Sequence, residues 1–178
     1  MALQFTVSEW IGASQNVVYG VATNLDLAGK WMPNFIRMEK LTHGEFGPGT
    51  KFRETRKIFG KTASELFEVV SAEPPRRITL IVDGTQGTSK RGHYEYRYEF
   101  VPEGEGTRVD LTGSIGKLSW LMQGIGRVFL GSMRKACAAD LRAMKAYIES
   151  QSPMLRHSTA AMPAFTPPNA VRALRRDE

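Results

Sequence analysis

His93-Tyr94-Glu95-Tyr96-Arg97-Tyr98-Glu99-Phe100 is the stretch on which the reading of this chain turns. Tyr94, Tyr96, Tyr98 and Phe100 alternate with His93, Glu95, Arg97 and Glu99, the period of a strand with one apolar and one solvated face. The surrounding pattern extends this strand over Lys90–Val101. On its C-terminal side, Glu103–Gly106 marks a turn and Thr107–Lys117 reads as the next strand. On its N-terminal side, Thr50–Phe59, Lys61–Ala72 and Arg76–Asp83 read as strands, separated by Gly60, Pro74-Pro75 and Gly84–Ser89. Such short links join antiparallel neighbours, because a parallel pair requires a crossover of about a dozen residues or more. The expected sheet is a meander.

From Leu118 the period becomes helical. Leu121, Met122, Ile125, Val128, Phe129, Met133, Ala136, Cys137, Leu141, Met144 and Ile148 form one broad apolar stripe, with Arg127, Arg134 and Lys145 opposite. A long amphipathic helix with this stripe has the sheet as its partner. At the other end of the sequence, Phe5, Val7 and Ile11 alternate with Thr6 and Ser8 in a strand over Leu3–Gly12. Val17, Val18 and Val21 then follow at helical spacing, with Ser14 placed to cap. A second short helix around Leu27–Trp31 stops before Pro33, after which the chain re-enters sheet.

Within this order, several local motifs carry a resemblance. They are Ile11-x-Ala13-Ser14-x-x-Val17 followed by Trp31, the turn Gly47-Pro48-Gly49-Thr50, the link Glu73-Pro74-Pro75-Arg76-Arg77, and Gly106-Thr107-Arg108-Val109. Their order and spacing over roughly residues 3–150 resemble the START superfamily of polyketide cyclase/dehydrase and lipid-transport proteins, which have the helix-grip fold. The resemblance implies an α+β protein. Its curved antiparallel sheet wraps a long C-terminal helix, with two short helices after the first strand and a cavity between sheet and helix. The fold is shared by carriers, receptors and aromatase/cyclases and does not choose among them.

Composition sets further bounds. The chain has 178 residues, 42% of them hydrophobic and 24% charged, as expected for one folded domain over 1–150 with a Pro-, Ala- and Arg-containing tail over 151–178. The 24 Lys and Arg exceed 18 Asp and Glu, but they are dispersed, so no nucleic-acid partner is expected. Cys137 is the only cysteine, which excludes an intrachain disulfide and fits a cytoplasmic setting. No zinc-type cluster or phosphate-cradling Gly-Lys-Ser/Thr motif is present, so no metal or cofactor is expected. The first ten residues lack the basic and apolar regions of a secretory signal. Leu118–Met133 is too short and too interrupted by Gly124, Gly126, Arg127 and Gly131 to span a bilayer, leaving at most transient contact with a membrane surface.

The pocket expected from these assignments is lined by Glu9, Tyr94, Tyr96, Tyr98, Phe100, Leu111, Met122, Ile125, Phe129 and Met133. Tyrosines suit such a cavity because ring and hydroxyl have opposite character, although the same row would also serve as ordinary core. Glu9 shares its face with Phe5, Val7 and Ile11, where it serves as proton donor or polar anchor, or turns to water at an edge. Asp140 falls inside the helix stripe and calls for a partner such as a sheet arginine. His93 points to solvent, and Cys137 packs as a small apolar group. Gly124, Gly126 and Gly131 mark either a gate or close approach of helix and sheet. The functions these features fit are binding, sequestration or transport of a hydrophobic or amphipathic small molecule of lipid, polyketide-like or aromatic type. Two alternatives stand beside this: a cyclase/dehydrase using the same cavity, and an accessory interaction module docking through the basic helix face or the tail's Arg172, Arg175 and Arg176.

Overall fold

The computed structural model describes residues 3–58, 60–88, 90, 92–115 and 123–155, with the backbone alone for 123–129 and 152–155. The elements are β1 (Leu3–Ile11), α1 (Gln15–Thr23), a 3-10 turn (Leu25–Leu27), α2 (Ala28–Trp31), β2 (Phe35–Lys40), β3 (Lys51–Ile58), β4 (Lys61–Glu73), β5 (Arg77–Asp83), β6 (His93–Glu103), β7 (Gly106–Ile115) and α3 (Gln123–Leu155). The seven strands form one antiparallel sheet in the order β1-β7-β6-β5-β4-β3-β2. β2 to β7 are thus a meander, and β1 closes onto its last strand. Irregularities in the pairing at Val69/Ser71 and at Phe35/Arg37 bend β4 and β2, as extra residues in a ladder do. The sheet curves around α3 in the helix-grip arrangement.

Register fixes which side chains meet α3. Tyr98 lies opposite Ile78 and Leu111, and Leu111 lies opposite Val7. Tyr96 lies between Leu80 and Gly113, and Gly113 pairs with Phe5. Phe5, Val7, Ile11, Phe52, Val69, Ile78, Leu80, Phe100, Val109 and Leu111 are buried on this face against Cys137, Leu141, Met144 and Ile148 of α3. Gly113 leaves room there for the Phe5 ring, from which a Cβ would lie 2.5 Å. α3 packs chiefly on β1. The Glu149 carboxylate accepts from the Gly12 amide at 2.9 Å, and the Lys145 ammonium donates to the Trp10 carbonyl at 2.7 Å.

Several expectations change. β6 begins at His93 rather than Lys90, because Lys90 and Gly92 have φ of 59° and 88°, left-handed values that belong to a turn. Ser14 occupies the N-cap of α1 but its side chain makes no capping bond; the residue is exposed. The second short helix is preceded by the 3-10 turn, where Asn24 accepts from the Asp26 amide at 3.1 Å. Gly131 does not reflect close approach, since a Cβ there would meet nothing within 4 Å. Ala136 is exposed at the margin of the stripe. α3 runs on to Leu155, past the boundary expected at residue 150. The remaining tail, the helix start at Leu118 and the strand end at Lys117 lie outside the described residues.

Candidate functional site

Strand β3 carries Phe52, Glu54, Arg56 and Ile58 at alternate positions, so one face of a single strand presents two ionisable groups between two apolar ones. That face is turned toward α3. The Arg56 Nη1 donates to both Asp140 oxygens at 3.0 Å, and its Nε donates to Glu54 Oε1. All three side chains are removed from solvent, with 8% of Glu54, 18% of Arg56 and 16% of Asp140 exposed. One guanidinium therefore serves two carboxylates in the interior, and the cluster carries an excess negative charge when both are ionised.

The electrostatics follow from this imbalance. Burial works against the Arg56 charge, but Glu54 and Asp140 outweigh it, so the guanidinium holds its proton more firmly than usual. Burial raises the Asp140 carboxyl to about 6, with Arg56 pulling the other way and the Glu54 charge adding to the rise. Cys137, one helical turn before Asp140, has its thiol pushed up to about 12 by burial first and the Asp140 charge second. It is a packing residue rather than a nucleophile.

The tyrosines lie on the same inner face. Burial pushes the hydroxyls of Tyr96 and Tyr98 well above their ordinary value, and the charges of Glu54 and Cys137 act in the same direction. Aromatic packing continues from them: Tyr98 stacks on Phe100 with centroids 6.4 Å apart, Tyr96 on Phe67 at 6.4 Å, and Phe67 on Phe52 at 5.1 Å. Tyr94 is half-buried beside the β5–β6 turn, where a Cβ on Gly92 would lie 2.7 Å from its hydroxyl. Among the described residues one buried side-chain polar atom has no partner, the indole N–H of Trp31 on α2. Leaving such a donor unpaired costs about 1–3 kcal/mol, and its packing against the core places it in the same interior.

The expected lining thus divides. Tyr96, Tyr98, Phe100 and Leu111 share the inner face, and Met133 packs against the same core. Glu9 shares the face of β1 but not the surroundings expected for it: Lys145 lies 3.5 Å away and neutralises it at the helix margin. Lys145 in turn is half-buried rather than on a solvated face; its ammonium lies over the Trp10 ring, 5.4 Å from the centroid. Met122 and the side chains of Ile125 and Phe129 lie outside the described residues. His93 is exposed on the outer face, 3.6 Å from the Asp83 carboxylate. Two open grooves, one of about 290 Å³ between Leu25, Met38 and Phe46 and one of about 390 Å³ between Phe5 and Leu130, are lined by none of the tyrosines and not by Glu9. Sequence reading found Asp140 and the kind of partner it needs. It missed Glu54 and Arg56, because both sides of β3 are polar and the strand shows no two-residue contrast.

Residues 2–149 match the model of the family described as polyketide cyclase / dehydrase and lipid transport. The chain belongs to that family. No curated protein sequence matches it. Among solved structures, it is similar to the Zhui aromatase/cyclase from Streptomyces sp. R1128, with a TM-score of 0.71, 16% identity and coverage of 85% of this chain and 96% of that one. It is also similar to a protein from Thermus thermophilus with a TM-score of 0.69 and 22% identity, covering 84% and 99%. A third likeness is to the ginseng major latex-like protein 151 from Panax ginseng, with a TM-score of 0.68 and 16% identity, covering 82% and 97%. At these identities the likenesses establish the fold of the family. None of the helices described is long and apolar enough to cross a membrane.

Proposed function

We propose that the protein binds and carries an amphipathic small molecule between the inner face of the sheet and α3. Its apolar body would lie against Tyr96, Tyr98 and Leu111, with its polar end toward Glu54, Arg56 and Asp140. The observation that carries this reading is the charged cluster itself, because its paired side chains give an otherwise apolar and aromatic inner face one polar end that could orient an amphipathic molecule. The unpaired Trp31 N–H supports it by offering a donor to an acceptor atom. Affinity would come mainly from apolar burial, and orientation from the polar groups.

A second reading, cyclisation or dehydration of a polyketide-like substrate, is favoured by Asp140. A buried carboxyl near 6 is poised to give or accept a proton close to neutrality. On this reading Asp140 rather than Glu9 would move the proton, since Glu9 lies at the helix margin 3.5 Å from Lys145.

The test is native mass spectrometry of the purified full chain, followed by denaturing release and identification of any compound. It is paired with titration by the fluorescent probe 1-anilinonaphthalene-8-sulfonate. A stoichiometric amphipathic compound that displaces the probe supports carriage. A protein that is empty and gives no saturable probe binding overturns it.

A further inference from the structure

We propose that the end of the sheet formed by the β3–β4 hairpin and the α2–β2 turn is a docking surface for anionic membranes. Residues 57–61 read Lys-Ile-Phe-Gly-Lys, two apolar residues and a glycine between two lysines, and the hairpin turns at Gly60 with φ of 76°. The Lys57 amide donates to the Asn34 carbonyl at 2.9 Å, which fastens this tip to the link between α2 and β2. The two turns therefore form one surface. Each presents a large aliphatic side chain to solvent: Ile58 is 43% exposed and Ile36 is 46% exposed.

The charge around these two side chains has one dominant sign. Lys30, Arg37, Lys57 and Lys61 are all exposed. Lys30 adjoins Gly29, whose Cβ position would lie 3.0 Å from the Phe35 ring, so it belongs to the same corner. Among the described residues Arg37 is the one of the four in an ion pair, with Glu39 at 2.9 Å. Aliphatic tips within a basic surround match a bilayer interface that offers acyl chains beneath anionic headgroups. An acidic protein or a nucleic acid would satisfy the lysines but not the isoleucines.

The position of the surface gives it a use. Ile58 lies two residues beyond Arg56 on the same face of β3, so the docking end adjoins the buried cluster at which a carried molecule's polar end would sit. Docking there would bring the interior up to the lipid from which an amphipathic molecule is taken or to which it is returned. The surface is independent of what the interior holds, and its test reads partitioning alone.

The experiment is co-sedimentation of the full chain with vesicles of phosphatidylcholine, and with vesicles of equal parts phosphatidylcholine and phosphatidylserine, at low and high salt. The protein is expected to pellet with the anionic vesicles at low salt and to be released by high salt. Lys57→Gln with Lys61→Gln should lower partitioning about 30-fold, the effect of two basic residues near an anionic surface. Ile58→Ser should lower it several-fold by removing inserted apolar area. All these positions are exposed, and unchanged thermal unfolding of the variants confirms that they fold. The proposal is overturned if the wild-type chain stays in the supernatant with anionic vesicles, or if the double lysine variant pellets like the wild type. It is equally overturned if Ile58→Ser has no effect while the lysine variant does, which identifies a general polyanion surface. A lipid-independent dimer abolished by Ile58→Ser also overturns it, because a second copy then covers the patch.

Discussion

Arg56→Leu removes the one cation between two buried carboxylates, and its consequence can be worked out in sign and size. In the folded variant Glu54 and Asp140 face each other on the inner side with no counter-charge. Deleting one partner of a buried charged cluster costs about 3–5 kcal/mol because it strands the remaining charge. That penalty belongs to the ionised forms, so it should shrink as pH falls and the carboxyls take up protons. The intact protein already shows the trend more weakly. Asp140 stands at about 6 when folded against an ordinary 3.8, so between these values the folded state binds more protons than the unfolded one. The stability held by this group is therefore full below the unfolded value and is lost as pH rises through the folded value, by about 3 kcal/mol. The assay is urea unfolding of wild type, Arg56→Leu and Asp140→Asn at a series of pH values from about 4 to neutrality. Arg56→Leu should be least stable at neutral pH and approach the wild type in acid, and Asp140→Asn should lack the wild type's decline over the same interval. A variant Arg56→Leu that matches the wild type at neutral pH, or that loses the same stability at every pH, would refute the account of the cluster as charge-imbalanced.

Two further outcomes follow from the packing. Gly113→Ala should destabilise the protein by about 1–3 kcal/mol through overpacking, because the added Cβ would fall 2.5 Å from the Phe5 ring; thermal unfolding reads the loss, and pairing it with Phe5→Leu should restore part of it. Cys137 should resist thiol reagents in the folded protein at neutral pH, since burial pushes its thiol up to about 12, and should react promptly in denaturant; rapid labelling of the native state would mean that α3 lifts from the sheet there.

How much of this was legible in the sequence depends on how sharply each element separates polar from apolar. From His93 to Phe100 in β6 every second residue is aromatic and the rest are polar or charged, so the face was readable over that span. The α3 stripe was readable for the same reason, and the lone acid within it, Asp140, announced its need for a partner. β3 gave no such contrast. Lys51, Arg53, Thr55 and Lys57 on its outer side are polar, and Glu54 and Arg56 on its inner side are polar too, so the two-residue period vanishes and the strand does not reveal its face. Lys145 was misjudged because helical angle describes where a side chain starts, not where four methylenes carry its ammonium. The partner of Glu9 was not legible for a related reason: it sits on α3, 3.5 Å away in space but far along the chain.

The place of β1 in the sheet also governs the order in which the molecule can assemble. Its sole strand neighbour is β7, and across that seam the hydroxyls of Thr6 and Thr112 touch at 3.1 Å although 106 residues separate them. During synthesis the first strand must wait for the last one, while the meander from β2 to β6 can form from local contacts. α3, made later still, then closes over both. Until that moment the inner face is covered only in part, by α1 through Tyr19 against Phe100, so a chain halted before Ile115 would leave Tyr96 and Tyr98 without their helix and one strand still unpaired. A protein so wired should fold slowly for its size and depend on chaperones that hold nascent apolar faces apart.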